Sequence, residues 1–238
     1  MPRTRGEELL LARISAAAGR AHIGKRRATY AATAHRAHAG TGPVRLVRGL
    51  LAFARYGRPS ARKARADARL DLYDHGMTVA VKGRIHVVRY DTTAVFQETP
   101  RHPHGSPRAG SPRAYTLTDI AGKPIVLHGG RPEDSNVEEW EAEIRRAVTQ
   151  AQLPRAWAAL DRGERLTFGD VWLTLEEVGS GELSARWPQV QQIERKNGSI
   201  RLNIDGNWHK LGPAETEIPN HFVFCALVER LRADGRCS

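Results

Sequence analysis

LDLYDHGMTVAVKGRIHVVRY, residues 70–90, alternates short apolar runs with turn residues. Asp74-His75-Gly76 and Lys82-Gly83 punctuate it, so LDLY, MTVAV and RIHVVRY read as antiparallel strands of a meander. Downstream, AVFQE and, after a long loop, YTLTDI and PIVLH continue the strand pattern around Ala121-Gly122-Lys123. The period then becomes helical: Val137, Trp140, Ile144 and Val148 recur at three- and four-residue spacing, a face suited to covering a sheet. Leu153-Pro154 is expected to end or kink this helix, because proline removes an amide donor, with Arg155 to Leu160 forming a short linker helix.

The same order recurs about 97 residues later. RLTF, VWLTLEEV, a Gly179-Ser180-Gly181 turn, ELSARW, VQQIER, an Asn197-Gly198 turn, SIRLNI, an Asp205-Gly206-Asn207 turn and WHKL precede a helix at about 219–233. Ile200, Leu202 and Ile204 alternate with Arg201, Asn203 and Asp205, as expected of a strand with one buried and one solvated face. Arg89-Tyr90-Asp91 with Val95 matches Arg186-Trp187-Pro188 with Val190 and Ile193, which points to an internal duplication.

About seven short antiparallel strands followed by an amphipathic helix resemble the pleckstrin-homology-like (PH-like) fold. More specifically, LDLYDHGMTVAVKGRIHVVRYDTTAVFQ, the LP-AW-AAL segment and WPQVQQIE resemble an uncharacterised bacterial family with tandem PH-like units, over roughly residues 69–232. The L-x-L-Y-[DE]-x-G-[ML] opening is the most specific piece. The resemblance implies a mainly β (α+β) fold of two antiparallel barrels or sandwiches, each closed by a C-terminal helix. The expected division is a basic, partly helical N-terminal arm (1–68), a first PH-like unit with long helix and linker helix (69–162), and a second unit with its C-terminal helix (163–238). The family carries no established reaction, and fold alone does not choose among lipid, peptide and protein binding. The basic cluster with which eukaryotic PH domains hold phosphoinositides is not matched, since Asp74 and His75 stand between the first two strands.

Charge is distributed unevenly over the 238 residues. Residues 1–69 hold 16 Lys+Arg against 3 Asp+Glu, and residues 70–238 hold 21 against 23, so the formal net charge of +11 resides in the N-terminal segment. Such an arm implies an anionic membrane surface or a nucleic-acid backbone as partner. Only 6 of the 37 basic residues are lysine, a bias that GC-rich coding also produces. Thr4-Arg5-Gly6-Glu7 has capping-box form and predicts a short helix before Leu9. The stretch from Gly19 to Pro43 lacks sustained periodicity and reads as loop or weak structure. From Arg45 to Tyr56, Leu46, Val47, Leu50, Leu51, Phe53 and Ala54 share one helical face and Arg45, Arg48 and Arg55 the other. Arg45, Arg48, Arg55, Arg58, Arg62, Lys63 and Arg65 are the expected anionic-surface residues, although a helix packed on the protein's own body gives the same pattern.

Within the body, Arg101, His102, His104 and Arg108 make RHPHGSPRAGSPR the candidate ligand-contacting loop, because long connections between strands are where binding tends to sit. His102-x-His104 lacks further ligands at a recognised spacing, so no metal and no cofactor are expected. Asp71, Asp74 and Asp91 are accounted for by strand alternation and turn chemistry, and His75, His86, His128, His209 and His221 by ordinary packing. Trp140, Trp157, Trp172, Trp187 and Trp208 lie in apolar periodic contexts, where core or interface positions are expected in place of a base-stacking platform. No nucleophile elbow, phosphate loop or zinc helix is present, and no catalytic residue is assigned.

No run reaches the ~18 apolar residues of a membrane span, the N-terminus does not read as a secretory signal, and Cys225 and Cys237 read as reduced thiols. The expected protein is non-enzymatic and cytoplasmic, at the inner face of the membrane. It binds an anionic membrane surface or a protein partner, with nucleic-acid association through the same arm as the alternative and an unrecognised enzyme third.

Overall fold

The computed structural model describes residues 4–36, 66–98, 114–128 and 137–233. The chain divides into two compact units, Met1–Val148 and Thr149–Ser238. Their described strands form three antiparallel sheets with three α-helices, a mainly β, α+β fold. Among the described residues no sheet closes into a barrel.

The first unit opens with α1 (Arg5–Arg20), started by the expected capping box: Glu7 donates its amide to the Thr4 hydroxyl, and Thr4 donates its own to the Glu7 carboxylate. There follow β1 (Arg26–Arg36), β2 (Ala66–Tyr73), β3 (Gly76–Val81), β4 (Arg84–Arg89), β5 (Val95–Glu98), β6 (Ala114–Thr118) and β7 (Pro124–His128). They lie in the order β4-β3-β2-β1-β7-β6-β5. The segment from Gly19 to Pro43, expected to be loop or weak structure, thus supplies the central strand. β1 holds eight registered pairs with β2 and four with β7, so it is the joint between a four-strand and a three-strand half. Its alanines and arginines have little β-preference; two neighbouring ladders that need a partner override that preference.

Parity along β2 explains the sequence signature. Leu70 and Leu72 point to the inner face and are fully buried, with Met77, Val79 and Val88 beside them. Tyr73 points to the other face and packs with Val87 under Ala18 of α1 and Ile23. Gly76 is required because a Cβ there would lie 2.4 Å from the Val88 carbonyl and 2.8 Å from the Ile23 side chain. Helix α1 is fastened over β3 and β4 by Arg13, which donates to the Gly83 carbonyl (3.1 Å), and by Arg89, which donates to the Ala21 carbonyl (3.0 Å).

Asp119, in the β6–β7 turn, ties that turn to edge strand β4. One carboxylate oxygen accepts the Ala121 and Lys123 amides and the other meets His86 Nδ1 at 2.9 Å, while Ile120 donates its amide to the Val87 carbonyl. Burial alone would raise this carboxyl; the His86 contact and the Lys123 and Ala121 amides outweigh it and hold it below the usual range. The stability Asp119 contributes is therefore fully present above about pH 4, the unfolded value, and is lost as pH falls through the lower folded value. Urea midpoints measured between pH 6 and pH 2.5 should show Asp119→Asn less stable than wild type at the upper end. The two should converge at the lower end; a difference independent of pH would contradict this assignment.

Helix α2 (Val137–Asp161) has its first half in the first unit, where Trp140 is fully buried edge-on to Tyr115 and Glu141 accepts the Tyr115 hydroxyl at 3.2 Å. It runs unbroken through Pro154, in place of the expected long helix and separate linker helix. One missing amide removes one hydrogen bond, and the turns on either side carry the helix across it.

The second unit contains β8 (Leu166–Phe168), β9 (Val171–Leu173), β10 (Glu177–Ser180) and β11 (Leu183–Arg186) in the order β11-β10-β9-β8. A second sheet, β12 (Val190–Lys196), β13 (Ser199–Ile204) and β14 (Asn207–Leu211), precedes α3 (His221–Ala233). The run VWLTLEEV is two strands. The Thr174 hydroxyl accepts the Glu176 and Glu177 amides and turns the chain, so Gly179-Ser180 fall inside β10 and are not the turn. Gly179 is needed there because a Cβ would sit 2.5 Å from the Trp172 ring. Trp187 is buried and donates its indole N–H to the Thr174 carbonyl, just as Tyr90 is buried at the corresponding end of β4.

Each unit therefore presents four strands, three strands and a helix in that order. They differ at one joint. Eleven-residue β1 reaches both β2 and β7, whereas three-residue β8 pairs only with β9 among the described residues.

Candidate functional site: the β1–β2 hairpin

The outer face of the β1–β2 hairpin carries a cluster of charged residues built around Asp71 and Asp74. Asp71, completely buried, is held by Arg69 through two bonds of 2.8 and 2.9 Å and accepts the Thr29 hydroxyl at 2.5 Å, with Arg26 at 3.8 Å. Thr29 stands directly opposite Asp71 in the register, which is why a strand at β1 is needed to satisfy it. At the other end of the hairpin Asp74 accepts the Lys25 amide at 2.7 Å and pairs with Arg27. The Lys25 amide and the Arg27 side chain hold the Asp74 carboxyl below the ordinary range. With Asp91 on Arg89, all three aspartates singled out in the sequence are arginine partners.

This hairpin changes the topology of the basic segment. The chain leaves β1 after Arg36, returns at Ala66 opposite Ala34, and between them residues 37–65 carry seven arginines and lysines and no acidic residue. The segment is a connection anchored at both ends within the first sheet. Arg45, Arg48, Arg55, Arg58, Arg62, Lys63 and Arg65 all lie in it, outside the described residues. Arg101, His102, His104 and Arg108 also lie outside them, in the β5–β6 connection. β1 and β5 run in opposite directions, so the two connections start from opposite strand ends of the first sheet.

Sequence spacing missed the histidine pairs. His35 and His128 meet across the β1–β7 ladder with ring nitrogens 2.8 Å apart, His86 joins Asp119, and His221 lies 3.3 Å from Glu215, itself bound by Arg195. The His35–His128 and His86–Asp119 pairs link residues 93 and 33 positions apart, which only the sheet brings together, whereas His221 and Glu215 are near neighbours at the start of α3. Among the described residues no group of three or more His, Cys, Asp or Glu is arranged to hold a metal. Cys225 is largely buried, and desolvation pushes its thiol up to about 11, an unreactive setting. Of the tryptophans, Trp140 and Trp187 are core, while Trp157, Trp172 and Trp208 lie under Arg230, Arg165 and Arg201. No described helix is long and apolar enough to cross a membrane.

A family model, described as a family of unknown function (DUF6585), matches residues 63–236. The chain belongs to that family. The DUF6585 stretch takes in β2 to β14, α2 and α3, and begins after α1 and β1. It therefore contains the β2 side of the hairpin, with Arg69, Asp71 and Asp74, and lacks the β1 side that supplies Thr29, Arg26 and Arg27. No curated protein matches the chain.

Proposed function

We propose that this DUF6585 protein is a non-enzymatic binding platform of two PH-like units that docks on an anionic membrane surface through the basic connection between β1 and β2. The observation that carries the proposal is the pairing of Ala34 with Ala66, which fixes both ends of a 29-residue connection bearing seven cations and no anion. A tether of this kind sets the orientation of the sheet on a surface, which a loose terminal arm does not. Each cation near an anionic leaflet contributes about 1 kcal/mol. The helical spacing of Leu46, Leu50 and Phe53 against Arg45, Arg48 and Arg55 adds an apolar face for the interface. The four-plus-three strand order and closing helix of each unit support the PH-like reading. Arg101, His102, His104 and Arg108 form a separate ligand loop at the other strand end.

The test is vesicle cosedimentation of the full chain over rising phosphatidylserine content at two salt concentrations. Beside it run Arg45→Glu/Arg48→Glu/Arg55→Glu and Leu50→Asp/Phe53→Asp. Membrane docking predicts pelleting in proportion to anionic lipid and loss in both variants, by about tenfold or more in affinity for the triple charge reversal. Binding to duplex DNA that falls log-linearly with salt and ignores Leu50→Asp/Phe53→Asp would replace the proposal with nucleic-acid association.

A further inference from the structure

The two units treat equivalent strands differently. In the first, β7 is covered along its flank by β1 through the pairs Thr33–His128 to Arg36–Ile125. In the second, β14 occupies the place of β7, but short β8 does not reach it, and among the described residues β14 pairs with β13 alone. Asn207, Trp208, His209 and Lys210 of β14 are all exposed, on both faces of the strand. An edge of this kind presents a row of unpaired backbone donors and acceptors, a template for an added strand.

The side chains specify what would add. Glu194, Arg201 and Lys210 stand in one cross-strand row. Arg201 bonds Glu194 at 3.0 Å on the inner side and faces a like charge, Lys210, on the outer side. No ion pair of Lys210 is found among the described residues. Two residues along on the same face is Trp208, 37% exposed, with the Arg201 guanidinium 5.2 Å from its ring centre. A carboxylate placed beyond Lys210 would restore alternating charge across the row, since like charges directly opposite are unfavourable and opposite ones favourable. An apolar or β-branched side chain of the same strand would cover Trp208.

We propose that the free flank of β14 is a docking edge for an extended acidic segment of a partner protein, which adds antiparallel as a further strand in the way β1 adds to β7. Main-chain hydrogen bonds would supply affinity, and Lys210 with Trp208 the selectivity. The inference does not depend on membrane docking, which involves residues 37–65.

The probe is a synthetic peptide, Thr-Val-Thr-Glu-Thr-Val-Thr, whose glutamate and valines lie on one face so that the carboxylate can stand beside Lys210 with a valine over Trp208, and a counterpart carrying lysine for glutamate, each titrated into the full chain and followed by backbone amide NMR shifts. Shifts confined to β13 and β14 are expected, with the acidic peptide preferred by about tenfold. Lys210→Glu should reverse that preference while leaving the folded spectrum elsewhere unchanged. A rival role for Lys210 is to repel strand pairing altogether. Under that role Lys210→Thr self-associates and wild type binds neither peptide, which overturns the proposal. Shifts away from β14, or a preference that Lys210→Glu leaves untouched, overturn it equally.

Discussion

A chain beginning at Ala66, which keeps almost the whole DUF6585 stretch, should not form the first sheet. Removing residues 1–65 deletes β1 and with it eight pairs to β2 and four to β7, leaving two separate half-sheets. It also deletes Ile14, Ala18, Ile23 and Ala34 from the core, exposing Tyr73 and Val87. Asp71 would lose Thr29 and Arg26. A domain's net stability is only about 5–15 kcal/mol, and burying a single large apolar side chain contributes about 1.5–3 kcal/mol. Loss of a central strand together with its covering helix therefore exceeds what the unit can spare. The expected readout is collapse of amide shift dispersion for β2 to β7, with the signals of β8 to β14 retained. Native shifts for β2 to β7 in this shortened chain would show that β1 is dispensable. The consequence for the function is practical: the basic connection cannot be studied by deleting everything before the family-matched stretch, because that removes a strand of the body.

Asp71→Ala is the point substitution expected to cost most among the polar residues. The carboxylate is wholly buried, and its loss strands the Thr29 hydroxyl and the Arg69 guanidinium, which it binds through two hydrogen bonds. Breaking a fully buried pair costs about 3–5 kcal/mol. Arg69 and Arg26 keep 34% and 47% of their side-chain surface exposed and can turn to water, so about 3 kcal/mol is expected. Asp71→Asn keeps an acceptor for Thr29 and should cost about half as much. Denaturant midpoints measure both. If Asp71→Ala and Asp71→Asn are equal and both below about 0.5 kcal/mol, the cluster is surface decoration. Neither variant alters residues 45–65, so vesicle binding by the folded fraction should persist, which separates the scaffold of the hairpin from its proposed docking segment.

Most of the strand pattern was legible because alternation survives in a single sequence: β2 to β7 and β8 to β14 lie where apolar runs and turn residues mark them. The capping box placed α1 for the same local reason. Thr174 misled, since its hydroxyl turns the chain inside an apparently continuous run. Pro154 misled in the opposite sense, as one lost bond did not end α2. For β1 a signal did exist. RLTF before VWL in the second half implies a strand before LDLY in the first, and the repeat, more than local propensity, was the feature that could have found it.

The sequence by itself determined the mainly β, α+β class, the repeated strand order, the burial of Leu70, Leu72, Trp140 and Trp187, and the concentration of positive charge before residue 69. Those follow from period, turn chemistry and composition, which are local quantities. Tertiary structure alone decided that Arg26–Arg36 is a strand, that residues 37–65 are a connection held at both ends, and that among the described residues β14 pairs on one side where β7 pairs on both. It also decided the partners of Asp71, Asp119 and His128. The physical reason is common to all of these: a ladder or a buried ion takes whatever partner the register brings opposite it, and register joins residues 42 or 93 positions apart that no spacing rule connects.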